Sequence, residues 1–208
     1  MQIVKQGYQF IYPTTNKEFI NEAKKIEAAG RLCYKSEDKI TEDSYKKFIS
    51  MLREKQHGAM LEHSTMSIKF ITDRGITHEI VRHRVASFAQ ESTRYCNYSK
   101  DKFNNEISVI EPFCGEADDE SYRVWLAAME AAEKAYFKML ELGYSPQISR
   151  SVLPTSLKTE IVVTANFREW LHIFKLRTAP AAHPQMVALM TPLYKELNSV
   201  LPEIFTLS

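Results

Sequence analysis

The sequence predicts a mixed α/β class that is not a doubly wound parallel sheet, and three observations carry this. Helical and strand periodicities both occur without regular alternation. The two clearest strand patterns, around residues 66–71 and 158–167, are separated by the longest helical pattern. The six glycines form neither Gly-x-Gly-x-x-Gly nor a Walker loop, so there is no Rossmann fingerprint. With 208 residues, 44% of them hydrophobic, the chain can bury a real core, and a single domain over residues 1–208 is the working expectation.

Residues 2–12 set Ile3, Val4, Tyr8, Phe10 and Ile11 among polar partners and stop at Pro13, which cannot donate to a ladder; they read as a strand. After a turn at Thr14-Thr15-Asn16, Phe19, Ile20, Ala23, Ile26, Ala28 and Ala29 recur at helical spacing up to Gly30, a C-terminal stop signal. A second helix opens at Thr41-Glu42-Asp43 and turns Tyr45, Phe48, Ile49 and Leu52 to one face. Met66, Ile68 and Phe70 alternate with Ser67, Lys69 and Ile71 in a half-buried strand that ends at Asp73-Arg74-Gly75, and a short helix carries Ile76 to Arg84. Weak periodicity from there to about Phe113 reads as a loop with a brief strand at 107–110. Glu116 to Leu142 makes the longest helix, with Trp125, Met129, Ala132, Tyr136 and Leu140 near one face and Gly143 closing it. Beyond Ser145-Pro146 come a helical turn to Arg150, a β-branched central strand from Lys158 to Phe167 and a helix to Arg177. Pro180 and Pro184 bracket a break before a last helix to Leu201, which Pro192 is expected to bend.

Composition narrows the function. Twenty-seven basic and 26 acidic side chains leave a net charge of +1, so no large positive field gathers nucleic acid, and any bound anion must be met by a local cluster. The longest apolar stretches, such as Ile161 to Ala165, are too short to span a bilayer, and residues 1–6 lack a signal-peptide pattern; a cytoplasmic location is expected. Cys33, Cys96 and Cys114 are odd in number and widely spaced, which points to reduced, mostly buried thiols and not to a disulfide framework or a zinc site.

The densest chemical signal is Arg82-His83-Arg84, seven residues, then Ser92-Thr93-Arg94, all within thirteen positions where a helix gives way to a loop. Arginine supplies paired donors, and Ser92 with the loop amides adds shorter hydrogen bonds, so such a group can hold phosphate. A lone Arg-His-Arg reads as a solvated basic helix end; the Ser-x-Arg at fixed spacing shifts the balance.

This pattern resembles the flavin-dependent thymidylate synthases, which are marked by Arg-His-Arg, seven residues and Ser-x-Arg, here at Arg82, His83, Arg84, Ser92 and Arg94. His57-Gly58-Ala59-Met60-Leu61-Glu62-His63, Arg150-Ser151-Val152-Leu153-Pro154, and Asn166-Phe167-Arg168 through Leu176-Arg177 are similar to further segments of that family, in the same order. The resemblance implies a family-specific α/β fold (α+β type), with a central, mostly antiparallel sheet flanked by helices. It implies reductive methylation of deoxyuridine monophosphate (dUMP), with FAD as the flavin, methylenetetrahydrofolate as carbon donor and NADPH as reductant. It also implies a homotetramer with shared sites. By position, His57, Arg82, His83, Arg84, Asn166, Arg168 and His172 contact FAD. Glu79, Arg82, Gln90, Ser92, Thr93, Arg94 and Arg150 hold the nucleotide. Arg177 faces the pyrimidine and stabilises negative charge on its ring, a task suited to a permanently cationic group with two aligned donors. Without the resemblance, Arg177 reads as a helix C-terminal arginine balancing the macrodipole. The chain departs from the family at Ala59, where a hydroxyl residue is usual, and at Ala89-Gln90, where Asn-Glu is frequent.

No cysteine sits in a proline-cysteine-histidine setting of the kind that activates uracil in the other thymidylate synthases, and a flavin hydride donor removes the need for one. Arg82, His83 and Arg84 as cations would favour an anionic reduced flavin. Two rivals are weaker. His78-Glu79-Ile80-Val81 begins like a zincin motif, but position 82 is arginine and His83 lies roughly 140° round the helix from His78, so no metal is expected. A nucleic-acid module built on Arg74, Arg82, Arg84 and Arg94 conflicts with the near-neutral charge and the absence of an interleaved aromatic platform.

Overall fold

The structure, a computed structural model, describes residues 1–100, 103–112 and 119–207. Along the chain run β1 (Gln2–Val4), β2 (Gly7–Tyr12), α1 (Asn16–Tyr34), α2 (Ser44–Glu54), β3 (Thr65–Asp73), α3 (Arg74–Ile80), β4 (Ala86–Gln90), β5 (Ser108–Ile110), α4 (Glu120–Glu141), α5 (Pro146–Ser149), β6 (Lys158–Asn166), α6 (Phe167–Arg177), α7 (Pro184–Val200) and α8 (Pro202–Phe205). Four strands form an antiparallel sheet in the order β2-β3-β6-β4, while β1 and β5 make a separate parallel pair with Gln2 opposite Ser108. The direction of β3 against β6 is visible in its cross-links. The Phe167 amide donates to the Ser64 carbonyl and Ser67 bonds Thr164 at 2.7 Å, so one index falls by three as the other rises by three.

The chain divides into two compact units: Met1–Gly7, Phe70–Arg82 and Ala89–Ile161 form the first, and Tyr8–Lys69, His83–Phe88 and Val162–Ser208 the second. In the first, Tyr98, Ile107, Val109, Met129, Tyr136 and Leu157 form a buried cluster, and Trp125 and Leu140 of α4 pack against it. One face of α4 therefore meets the core, as its spacing requires.

In the second unit α1 starts at Thr15, whose hydroxyl accepts from the Glu18 amide while Glu18 bonds back to the Thr15 amide, a capping box. Gly30 does not stop this helix, which continues to Tyr34. Its role is close approach, since a Cβ there would lie 2.5 Å from the Phe48 ring of α2. Trp170, Phe174, Phe167 and Phe205 join α6 and α8 in an aromatic core, with the Trp170 indole donating to the Met66 carbonyl at 3.1 Å. Two carboxylates are buried in α1. Glu22 accepts from Tyr12 at 2.7 Å and Lys25 at 2.9 Å, and Glu27 from Arg31 at 3.0 Å and Ser44 at 2.9 Å, so neither is unpaired.

Some sequence expectations shift. The 2–12 strand is two strands with different partners, β1 against β5 and β2 against β3. The short helix ends at Ile80, before Arg82. The stretch read as loop contains β4, an edge strand whose Ala-Ser-Phe-Ala-Gln shows little alternation and which exists because β6 offers it a ladder. Cys33 is exposed near the end of α1 and Cys96 is half-buried, neither in a disulfide, so the expected burial does not hold for Cys33. Cys114 and the expected helix start at Glu116 lie outside the described residues. No helix among the described residues is long and apolar enough to cross a membrane.

Candidate functional site

In the second unit the passage from β6 into α6 sets the geometry. Asn166 ends the strand, and its side-chain oxygen accepts from the Glu169 amide at 2.9 Å, capping α6 and fixing where its first turn projects. Asn166, Arg168, Glu169 and His172 then line a groove of about 430 Å³ together with Glu62 and Val85. That volume falls within the roughly 300–1,000 Å³ of small-molecule sites. Arg168 is exposed and holds Glu62 at 2.5 Å. Gly58 lets this guanidinium lie close to the chain, for a Cβ there would come within 3.3 Å of its Nε. Next to Gly58, His57 is exposed and its Nδ1 meets the Tyr34 hydroxyl at 3.0 Å.

His83 is the buried member of this group, 5% exposed. Arg177 Nε donates to His83 Nε2 at 2.9 Å. A guanidinium N–H only donates, so Nε2 must present a lone pair and the ring's single proton lies on Nδ1, which faces Glu169 Oε1 at 3.6 Å. Burial, then Arg177, then His172 push the His83 pKa down to about 4, so the ring is neutral at pH 7. The 3.6 Å approach to Glu169 is thus a dipole facing a charge and not an ion pair. His83 does not carry the positive charge that the sequence reading gave it; that part rests with the arginines.

His83, Glu169 and His172 also bring three potential metal-ligand atoms within 4.8 Å of one another. The hydrogen bonding disfavours a metal there. With Arg177 on Nε2, ligation through Nδ1 would need an imidazolate, and ligation through Nε2 would displace a guanidinium. The zincin-like pair fares no better, because α3 ends at Ile80 and His83 is not on the helix that carries His78.

In the first unit, Arg74, His78, Thr93 and Arg150 line a pocket of about 350 Å³ with Thr155 and Leu157. Arg150 donates to the Thr93 hydroxyl at 3.1 Å. Arg74 donates to the Glu91 carbonyl at 3.4 Å and the Thr159 hydroxyl at 3.3 Å, and the Gln90 amide donates to Thr77 at 2.9 Å and Thr159 at 3.3 Å. Among the described residues the lining holds two guanidiniums, an imidazole and hydroxyls but no carboxylate, a composition suited to an anion.

The sequence-predicted residues are distributed cleanly. His57, His83, Arg84, Asn166, Arg168, His172 and Arg177 belong to the second unit, and Glu79, Arg82, Gln90, Ser92, Thr93, Arg94 and Arg150 to the first. Within the second, the groove gathers Asn166, Arg168 and His172, and His83 bonds Arg177. Within the first, Thr93 and Arg150 share the pocket. Ser92 accepts from the Arg94 amide at 3.3 Å on the adjoining turn, and Arg94 stacks over Tyr95. Arg82 and Arg84 are both exposed on the turn between α3 and β4. The sequence reading missed Glu62, Val85 and Glu169 in the groove and Arg74 and His78 as pocket lining. Glu62 and Glu169 stood inside segments that carry the resemblance, and Arg74 and His78 entered only through the rival readings; nothing in the pattern singled out Val85. His183, given no role from sequence, caps α7 by accepting from the Gln185 amide at 3.2 Å.

The family model described as thymidylate synthase complementing protein (Thy1) matches residues 17–203. A flavin-dependent thymidylate synthase of Geobacter sulfurreducens is 32% identical over 188 residues, covering 86% of this chain and 79% of that protein. Another, from Mycobacterium sp. (strain JLS), is 34% identical over 206 residues, covering 86% and 77%. Among solved structures, the UMP/dUMP methylase PolB from Streptomyces cacaoi, bound with 5-Br dUMP, superposes with a TM-score of 0.79 over 99% of this chain and 96% of that one; at 22% identity it shows a shared fold.

Proposed function

This chain belongs to the flavin-dependent thymidylate synthase family, and on that premise we propose that it methylates dUMP to thymidylate. Methylenetetrahydrofolate serves as carbon donor, FAD as the flavin and NADPH as reductant. The observation that carries the substrate assignment is the pocket of the first unit, where Arg74, His78, Thr93 and Arg150 surround a space with no carboxylate among its described lining residues. A nucleotide monophosphate brings the dianion such a pocket selects, and Arg150 offers it the charge-assisted donors that water would otherwise supply.

The second unit fits a flavin dinucleotide in its donor set. Arg168 and His172 face the groove, and Asn166 stands at its edge. Glycine at position 58 keeps open the space that the Arg168 guanidinium uses. His57, Arg82, His83 and Arg84 complete the proposed flavin contacts. When bound and reduced, the flavin supplies the hydride of the reductive methylation.

The chain's own groups do the rest by position and charge. Ser92, Thr93, Arg94 and Arg150 hold the phosphate, and Glu79, Arg82 and Gln90 orient the nucleoside. Arg177 stabilises the negative charge that develops on the pyrimidine ring. Neutral His83 accepts from the Arg177 Nε and so fixes one edge of that guanidinium. The active assembly we propose is a cytoplasmic homotetramer, consistent with the prevalence of closed symmetric oligomers.

The test is an anaerobic assay of FAD-loaded protein with NADPH, methylenetetrahydrofolate and dUMP, following thymidylate. Product formation supports the reading. Well-folded, flavin-loaded protein that yields no thymidylate refutes it.

A further inference from the structure

Among the groove's side chains, Glu169, 12% exposed, is a carboxylate to which the proposed reaction gives no role. Its backbone amide is pinned by Asn166 at 2.9 Å, so the carboxylate leaves α6 from a fixed point. Arg177 lies two turns further along the same helix, about 12 Å by helical rise. Between them stands the His83 ring, with Nδ1 facing Glu169 Oε1 at 3.6 Å and Nε2 accepting from Arg177 Nε at 2.9 Å.

We propose that Glu169 is a positioning residue: its carboxylate holds His83 in the Nδ1-protonated tautomer, and through that ring it aims the Arg177 guanidinium. A neutral imidazole has one proton and two edges. Placed on Nε2, the proton would oppose the N–H of Arg177 and drive the guanidinium away. Placed on Nδ1, it faces the Glu169 carboxylate, whose charge favours the proton on that edge of a buried ring. Glu169 provides the negative charge on that edge. At 3.6 Å it acts by charge against dipole and not through a direct hydrogen bond, so a neutral isostere should satisfy it only in part. The partly buried setting strengthens the interaction.

The proposal rests on the reading that Arg177 serves the reaction, and its test has a readout that does not. In FAD-loaded protein with ¹⁵N-labelled histidine, the His83 ring is assigned by its loss in His83→Gln. Wild type should show a neutral ring with Nδ1 protonated and Nε2 bare. In Glu169→Ala the population should move to the other tautomer, with kcat falling about tenfold and the KM for dUMP changing less, a coupling typical of one hydrogen-bond network. Glu169→Gln, whose amide oxygen can still accept, should recover part of both. A His83 ring whose nitrogen shifts are the same in Glu169→Ala as in wild type overturns the proposal, whatever happens to turnover. A wild type that makes no thymidylate removes the proposed function alone, and the nitrogen shifts still decide the role of Glu169.

Discussion

The pocket of the first unit and the groove of the second differ in how their cations are matched. In the first, Arg74 and Arg150 share a lining with His78, hydroxyls and no described carboxylate, so the guanidinium charge suits an anionic ligand. In the second, Arg168 holds Glu62, and His83 faces Glu169 and is neutral. One region is arranged to capture an anion, the other to orient dipoles and a single guanidinium. Counting arginines in the sequence does not separate them; the partners do.

Four perturbations break or sharpen this contrast. The largest effect belongs to Arg177→Ala, which should lower kcat by at least about 10²-fold, the scale of removing a charge-stabilising donor, while circular dichroism and FAD content stay near wild type. Unchanged turnover would remove the role assigned to Arg177. Next, Arg150→Ala should weaken dUMP binding by roughly tenfold or more, since a hydrogen bond to a charged group contributes about 1.5–3 kcal/mol. Calorimetry should place the loss in dUMP affinity and not in FAD affinity. The salt dependence of dUMP binding should also shrink, because one phosphate contact is gone.

The third perturbation is pH. The folded-state pKa of His83 is depressed from 6.5 to about 4. Between those values the unfolded chain binds a proton that the folded chain refuses, so this residue's contribution to stability is complete above about 6.5. It is lost as pH falls toward 4 and is constant below that. His83→Gln, which keeps an acceptor for Arg177, should flatten that part of the melting-temperature profile; an unchanged slope would mean that His83 is not held neutral. The smallest effect is Glu62→Gln. An exposed ion pair contributes little, so stability should change by less than about 1 kcal/mol. Releasing Arg168 should nevertheless tighten flavin binding a few-fold in a fluorescence titration; weaker binding would contradict the view that Glu62 competes for that guanidinium.

Much of the fold was legible because burial writes periodicity. Tyr45, Phe48, Ile49 and Leu52 lie on one buried face of α2, and Met66, Ile68 and Phe70 alternate inward along β3. What failed to show depends on partners distant in sequence. Strand β4 exists by pairing with β6, and the break between β1 and β2 reflects two different ladders. Gly30 looked like a stop because only the packed Phe48 ring reveals why a side chain is excluded there. The arginine motif at 82–94 was visible, since fixed spacing of rare residue types is a local property. Glu169 was not, because a carboxylate in the first turn of a helix ordinarily answers the macrodipole. Its second role appears only when His83, 86 positions away in the chain, stands beside it.

The central claim is that the pocket of the first unit, with no described carboxylate in its lining, captures the anion of the substrate. The most direct measurement is a crystal structure with FAD and dUMP bound together. The account predicts the phosphate within hydrogen-bond distance of Arg150 and Thr93. A phosphate seated instead on Arg168 and His172 would contradict it.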